Sequence, residues 1–233
     1  METQTRKLTP ILCFEQTDYA YQGERIVWVG DDVAVRHPRN YWKPWQPPAK
    51  TYSTSLLQAG ARLCLQQIDK SDEPKGLLAW LVNRELVFPL NHAKSRFDDV
   101  RNALQAKHSK AFEASAIRVI GLGQGLTPSG DDFLGGIFFV YAHSCKPYPD
   151  WIASMGALQA NICNACKAST NPISAALLAS NMEGNSYGEL HDMLDALESN
   201  DSRFIAAATD ALLGVGSSSG ADMLTGLLLA LTL

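Results

Sequence analysis

Apolar and polar positions follow two different periods along this chain. Before about residue 95 the pattern alternates in places, as in ERIVWVGDDVAVRH, where β-branched residues flank a GDD turn signal. GLLAWLVNRELVFPLN is predicted as two further strands joined at Asn83-Arg84. One amphipathic helix is predicted within TYSTSLLQAGARLCLQQID, ending near Asp69. From about Arg96 onwards the period is helical, and Gly, Pro and Asn residues separate a succession of helices.

These patterns predict an α+β protein built from two regions. Residues 1–95 are expected to form a β-rich mixed region, in which the aromatic and Pro-rich segment 40–50 is a packed loop, a partner surface or a lid. Residues 96–233 are expected to form a mostly α-helical domain with an internal loop-helix repeat. The net charge is +4 up to Arg118 and −8 beyond it, which supports two halves, although acidic helix surfaces alone would give the same division.

Composition narrows the class of protein. A hydrophobic content of 46% and a charged content of 19% allow a sizeable core, and a net charge of −4 disfavours nucleic acid as a partner. No stretch reaches the roughly 20 apolar residues of a membrane helix, and the N-terminus lacks the apolar core of a secretory signal. The 5 cysteines, an odd number, disfavour a disulfide framework. We therefore expect a cytoplasmic protein with reduced thiols.

A short repeat links two Gly-rich loops of the helical half. GLGQGLTPSGDDFLGG occupies 121–136 and GVGSSSGADMLTG occupies 214–226, and both contain S-G-x-D-apolar-L-x-G at an offset of 90 residues. Asp132 and Gly136 are four positions apart, as are Asp222 and Gly226, so each pair shares one helix face. The two helices are therefore predicted to pack with pseudo-twofold symmetry, and both aspartates are predicted to line one pocket.

Both helix starts have the properties of an anion site. A helix start presents unpaired amides and the positive end of the dipole, glycines let the backbone curl around a ligand, and hydroxyls donate to anion oxygens. The start of the STNPIS segment is expected to contribute as well. The predicted anion-binding residues are Gly123, Gly125, Thr127, Ser129, Gly130, Thr170, Asn171, Ser217, Ser218, Ser219 and Gly220.

Three aspartates in these loops are candidates for chemistry. Asp131, Asp132 and Asp222 are the candidate catalytic residues, and Asp132 and Asp222 are also candidate ligands of Mg²⁺. Under the alternative interpretation, they are ordinary acids of a first helical turn, and Thr170 or Asn171 only caps a helix. No lysine follows the glycines as in a Walker A loop, and the spacing differs from a dinucleotide fingerprint. With neither a biotin-lysine motif nor a P-loop visible, a biotin- or ATP-dependent carboxylase is disfavoured.

The opening loop resembles the signature of the oxamate carbamoyltransferase subunit AllH family, which has also been grouped with the carboxylases. STNPIS and GSSSGADMLTG resemble its second and third motifs, so the resemblance covers roughly residues 117–233, with Gln124 standing where the family is expected to have proline. It implies a transferase subunit of a multi-subunit enzyme that interconverts oxamate and carbamoyl phosphate with oxalurate and phosphate in purine and allantoin breakdown. The partners implied are small anionic substrates and other subunits. A non-catalytic assembly subunit, whose glycines only allow tight helix packing, is the alternative.

Overall fold

The computed structural model describes residues 3–7, 26–29, 32–36, 50–71, 73–143 and 155–233. Near the N-terminus, three short strands form an antiparallel sheet in the order β1-β3-β2: β1 (Thr3–Lys7), β2 (Ile26–Val29) and β3 (Asp32–Arg36). Strands β2 and β3 are the pair that ERIVWVGDDVAVRH predicts, with Val29 opposite Asp32. The predicted loop or lid at 40–50 lies, except for Lys50, outside the described residues.

Helices make up most of the described chain from residue 50 onwards. They are α1 (Thr54–Asp69), α2 (Leu78–Leu81), a 3₁₀ helix (Leu90–Ala93), α3 (Lys94–Gln105), α4 (Ser109–Val119), α5 (Ser129–His143), α6 (Met155–Ser169), α7 (Pro172–Met182), α8 (Gly188–Ser199), α9 (Ser202–Leu213) and α10 (Ser219–Thr232).

The predicted α+β class with a β-rich N-terminal region is wrong, because the described residues are mostly α-helical. Residues 76–91, predicted as two strands, contain α2, turns and the start of the 3₁₀ helix. Leu77, Leu78 and Trp80 are all buried, and periodicity alone cannot distinguish a helix from a strand in an apolar run that is buried on every side. The boundary between residues 95 and 96 stays a prediction.

Helices α5 and α10 form the centre of the core. All residues from Ser129 to Tyr141 are buried, and α10 is buried over most of its length. The two helices pack on each other, and α1, α2, α7 and α9 surround them. At one end Phe133 makes edge contacts with Phe97 and Trp80, at ring-centroid distances of 5.4 and 5.9 Å. Although α5 and α10 are strongly apolar, no helix among the described residues has both the length and the hydropathy needed to cross a membrane.

Short polar side chains fix where several helices begin. The Asn171 side chain accepts the amides of Ile173 and Ser174 at 3.0 and 3.1 Å and so caps α7. The Asp201 carboxylate accepts the amide of Arg203 at 2.8 Å and caps α9. Such caps satisfy backbone donors that have no partner inside the helix, and each contributes about 1 kcal/mol.

Candidate functional site at two paired helix starts

Glycines hold α5 and α10 in backbone contact. A Cβ atom on Gly136 would overlap the carbonyl oxygen of Met223, and one on Gly226 would overlap that of Phe133. The two contacts are reciprocal, because the repeat aligns Phe133 with Met223 and Gly136 with Gly226. The close approach predicted from the four-residue spacing is therefore present, and the two helices are related by a pseudo-twofold axis.

The loops before these helices repeat the same geometry. The amide of Gly130 donates to the carbonyl of Leu122 at 2.8 Å, and the amide of Gly220 donates to that of Val215 at 3.1 Å. A Cβ atom on either glycine would overlap the carbonyl at the end of the preceding helix, Val119 in one copy and Leu212 in the other. The repeat thus extends from the preceding helix end through the loop into the buried helix.

The hydroxyls of the two helix starts meet across the axis. Thr127 Oγ1 and Ser219 Oγ are 2.7 Å apart and form a hydrogen bond. The hydroxyls of Ser219 and Thr127 lie close to Asp132, and that of Ser129 lies close to Asp222. Because Ser129 aligns with Ser219 in the repeat, each serine faces the aspartate of the other copy.

Both paired aspartates are buried, and both have raised pKa values. Asp132 is 5% exposed and Asp222 is 0% exposed. Burial raises the pKa of Asp132 well above its ordinary value, the hydroxyl of Ser219 opposes this rise, and the negative charge of Asp222 adds to it. Burial also raises the pKa of Asp222 to about 6, against the amide of Leu77 and nearby hydroxyls that favour the charged form. The two carboxyls thus lie close enough to interact, and each binds a proton more readily than an exposed carboxyl.

Each of these aspartates has one buried oxygen without a hydrogen-bond donor. Among the described residues, no donor reaches Oδ2 of Asp132 or Oδ2 of Asp222. A buried acceptor without a donor costs about 1 to 3 kcal/mol. Most buried polar side-chain atoms in folded proteins have a partner, so an exception calls for an explanation such as a bound water, an ion or a role in catalysis.

A segment from the N-terminal half completes the surroundings of Asp222. The amide of Leu77 donates to Asp222 Oδ1 at 2.7 Å. Gly76 has a left-handed backbone (φ +52°), and a Cβ atom on it would overlap the same carboxylate oxygen. Sequence reasoning missed both residues, although a glycine followed by an apolar run at 76–82 is a signal for a turn before a buried element.

Asp131 lies beside this pair but is fully engaged by the protein. Its Oδ1 accepts the amide of Gly121 at 2.7 Å, and its Oδ2 accepts the hydroxyls of Ser174, at 2.6 Å, and Thr170. These bonds join the loop before α5 to the start of α7. The Asn171 side chain adds a bond from Nδ2 to the carbonyl of Leu126 at 2.7 Å. Thr170 and Asn171 thus brace the loop through contacts with the protein itself.

The first-turn amides are used inside the protein to a large extent. The amides of Asp131 and Asp132 donate to the carbonyl of Pro128, and that of Asp222 donates to Ser218. Gly123 and Gly125 have left-handed backbones, at φ +122° and +98°, and Gly125 has open space around it. Ser217 is exposed and Ser218 is half-buried. The loops and hydroxyls, rather than the first helical turns, are therefore the parts available to a ligand.

Metal binding at this site would depend on the two carboxylates. Within the described residues there is no group of three or more His, Cys, Asp and Glu side chains placed to hold a metal ion. Asp132 and Asp222 supply two carboxylates and the neighbouring residues supply neutral hydroxyls, whereas Mg²⁺ usually keeps several water ligands beside one or two carboxylates. The predicted Mg²⁺ role thus needs oxygen atoms from water or substrate.

Comparison with known families supports the resemblance noted in the sequence. Residues 119–231 match the family model of the oxamate carbamoyltransferase subunit AllH. The match begins at the end of α4 and ends in α10, so it contains both loops and both paired aspartates but not the segment around Gly76. No solved structure matches the chain.

Proposed function

Through residues 119–231 the chain belongs to the oxamate carbamoyltransferase subunit AllH family, and on this premise we propose that it is a subunit of a carbamoyl-transferring enzyme. Such an enzyme acts with further subunits in purine and allantoin breakdown. The substrates in this proposal are small anions, namely oxamate, oxalurate and carbamoyl phosphate. The proposed location is the cytoplasm, in keeping with the free thiols of Cys64, Cys163 and Cys166.

In this proposal, a small anionic substrate binds between the starts of α5 and α10. The observation that carries it is the reciprocal arrangement in which each helix start directs a serine towards the buried aspartate of the other copy. The positive ends of two helix dipoles meet there and attract negative charge. The loop containing Gly123 and Gly125 and the hydroxyls of the two starts contact the anionic end of the substrate.

The charge of the aspartates sets a limit on the substrate. Two carboxylates repel a dianion unless they bind a proton or a cation. The raised pKa values of Asp132 and Asp222 reduce this repulsion, because both carboxyls keep a proton to a higher pH than exposed carboxyls do. Lys75 directly precedes Gly76 in the chain, and its ammonium donates to the carbonyl of Leu213 at the end of α9 at 3.5 Å. A monoanion such as oxamate therefore suits the site better than phosphate.

Thermal unfolding of the full chain tests this proposal. Oxamate, phosphate and carbamoyl phosphate are added separately, with and without Mg²⁺, to the wild type, to Asp132→Asn and to the control Asp210→Asn, which changes an exposed residue of α9. A ligand at tenfold its Kd is expected to raise the Tm by about 3 °C in the wild type and the control but not in Asp132→Asn. If none of the three anions raises the Tm, the proposed site is wrong.

A non-catalytic assembly subunit is the second candidate function. The observation in its favour is that the first-turn amides of both helix starts donate to protein carbonyls, as for Gly130 and Gly220. Under this alternative, the glycines serve only the packing of α5 on α10. It predicts that no small anion changes the Tm of the isolated chain, whereas partner subunits do.

A further inference from the structure

The site between α5 and α10 has more hydrogen-bond acceptors than donors. Oδ2 of Asp132 and Oδ2 of Asp222 are buried, and neither is reached by a donor from the described residues. The hydroxyls of Thr127 and Ser219, which lie close to Asp132, bond to each other at 2.7 Å, so only one of their two protons is left for another acceptor. A ligand that brings N–H donors complements such a site, whereas an oxyanion brings further acceptors.

Asp131 serves as an internal comparison. It lies on the same helical turn and is also buried, but its two oxygens accept an amide and two hydroxyls from the protein. The position aligned with it in the second copy is Ala221, which has no polar side chain. The two aspartates that the repeat retains, Asp132 and Asp222, are thus the ones whose Oδ2 atoms are left without a donor.

We propose that Asp132 and Asp222 together bind the NH₂ group of a primary carboxamide or carbamoyl substrate, with one N–H directed to each carboxyl. This inference rests on the proposed function, since it specifies which end of the small substrate meets the aspartates. A planar NH₂ group has two donors, and the pseudo-twofold axis supplies two matching acceptors. The carboxylate at the other end of an oxamate-like molecule then lies towards the loops, away from the two carboxyls.

In this proposal, the substrate reaches the aspartates by way of the loop between α4 and α5. Two side-chain contacts close this loop over the helix starts, the Thr127–Ser219 hydroxyl pair and the bond from Asn171 Nδ2 to the carbonyl of Leu126. The loop also contains Gly123 and Gly125 in left-handed conformations, and Leu126 at its tip is 70% exposed. Neither of these two contacts involves the backbone contacts of Gly136 and Gly226 that hold α5 against α10.

A pair of isosteric ligands tests the inference. Oxamate and pyruvate carry the same carboxylate, carbonyl and net charge, and differ in having NH₂ or CH₃ at the same position. Their Kd values are measured by calorimetry with the full chain at neutral pH, with phosphate as a third ligand. We expect oxamate to bind about tenfold or more tightly than pyruvate, because pyruvate leaves both acceptors without a donor.

Substitutions of the two aspartates test whether they cause the preference for oxamate over pyruvate. In Asp132→Asn and Asp222→Asn the ratio of the two Kd values should fall to below about threefold, because each variant replaces one of the two acceptor oxygens by an NH₂ group that donates. The control Asp210→Asn should keep the wild-type ratio. A tenfold preference that survives in both Asn variants would overturn the inference. If either variant fails to fold, the wild-type comparison is used instead, and equal Kd values for oxamate and pyruvate would overturn the inference.

The failures of the two proposals are distinguishable. If pyruvate, phosphate and oxamate bind equally well, the site takes small anions but the aspartates do not select NH₂, so the inference is overturned and the proposed function stands. If none of the three binds, the proposed function is overturned and the inference with it.

Discussion

Gly136 packs against the backbone of Met223 so closely that a Cβ atom there would overlap the Met223 carbonyl oxygen, and the repeat reproduces this contact between Gly226 and Phe133. Each glycine lies one turn along the helix from a paired aspartate. The contacts that allow the helices to touch are therefore the same ones that bring the two carboxyls together.

We expect Gly136→Ala and Gly226→Ala to lower the free energy of unfolding by about 3 kcal/mol each, because the added methyl meets backbone that cannot move without separating α5 from α10. Urea unfolding of the two variants measures this. Gly214→Ala is the control, since Gly214 is exposed and the nearest atom to an added Cβ is the carbonyl oxygen of Ala211 at 3.1 Å. Losses below about 1 kcal/mol would contradict the backbone contact.

Local sequence patterns predicted the packing of α5 on α10 but could not predict the contact between Leu77 and Asp222. The helical period after Arg96 and the spacing of Asp132 and Gly136 indicated the buried helices and their contact face, because both signals lie within a few residues. The bond from Leu77 to Asp222 joins residues 145 positions apart, and no local pattern encodes such a pair. The strands predicted at 76–91 were wrong because the run from Leu77 to Trp80 is buried throughout, and a short buried apolar run fits a helix as well as a strand.

Asp131→Ala should destabilise the protein by about 3 kcal/mol, because it removes the acceptor of the Gly121 amide and of the Thr170 and Ser174 hydroxyls. Asp131→Asn should recover part of this loss, since its carboxamide oxygen still accepts the Gly121 amide. Chemical denaturation measures both, with the exposed Asp210→Ala expected within about 0.5 kcal/mol of wild type. An Asp131→Ala protein as stable as the wild type would show that these bonds do not brace the loop.

The paired aspartates should make the protein lose stability as the pH rises. The pKa of Asp222 is raised from 3.8 to about 6 on folding, so its contribution is fully present below about pH 4 and is lost as the pH rises through about 6. The raised pKa of Asp132 acts in the same direction. Between pH 4 and 7 the wild type should therefore lose about 2 to 3 kcal/mol relative to Asp222→Asn, whose carboxamide oxygen can still accept the Leu77 amide.

The quantity to measure is the difference in unfolding free energy between the wild type and Asp222→Asn. Burial lowers the pKa values of His143 and His191, which makes the folded protein less stable as the pH falls through the same range, so the wild-type curve alone mixes opposite effects. Urea titrations at a series of pH values give the difference, and Asp210→Asn should follow the wild type. A difference that does not change with pH would contradict the raised pKa of Asp222.

Gly76→Ala tests whether the N-terminal half completes the site. The added methyl would overlap the carboxylate of Asp222, and the left-handed φ of +52° is unfavourable for alanine. Gly125→Ala is the matched control, because Gly125 is also left-handed, at φ +98°, but has nothing within 4 Å of an added Cβ. We expect a loss of about 1 kcal/mol in unfolding free energy for the control and about 3 kcal/mol for Gly76→Ala, since strain acts in both and the clash in only one.

A second readout separates a local effect on Asp222 from general destabilisation. The amide of Leu77 favours the charged carboxylate, so displacing it should raise the pKa of Asp222 further above about 6. In Gly76→Ala the pH-dependent loss of stability relative to Gly76→Ala/Asp222→Asn should therefore extend to higher pH than in the wild-type pair. If Gly76→Ala and Gly125→Ala lose equal stability and show the same pH dependence, the segment before α2 does not act on Asp222, and the site lies within residues 119–231 alone.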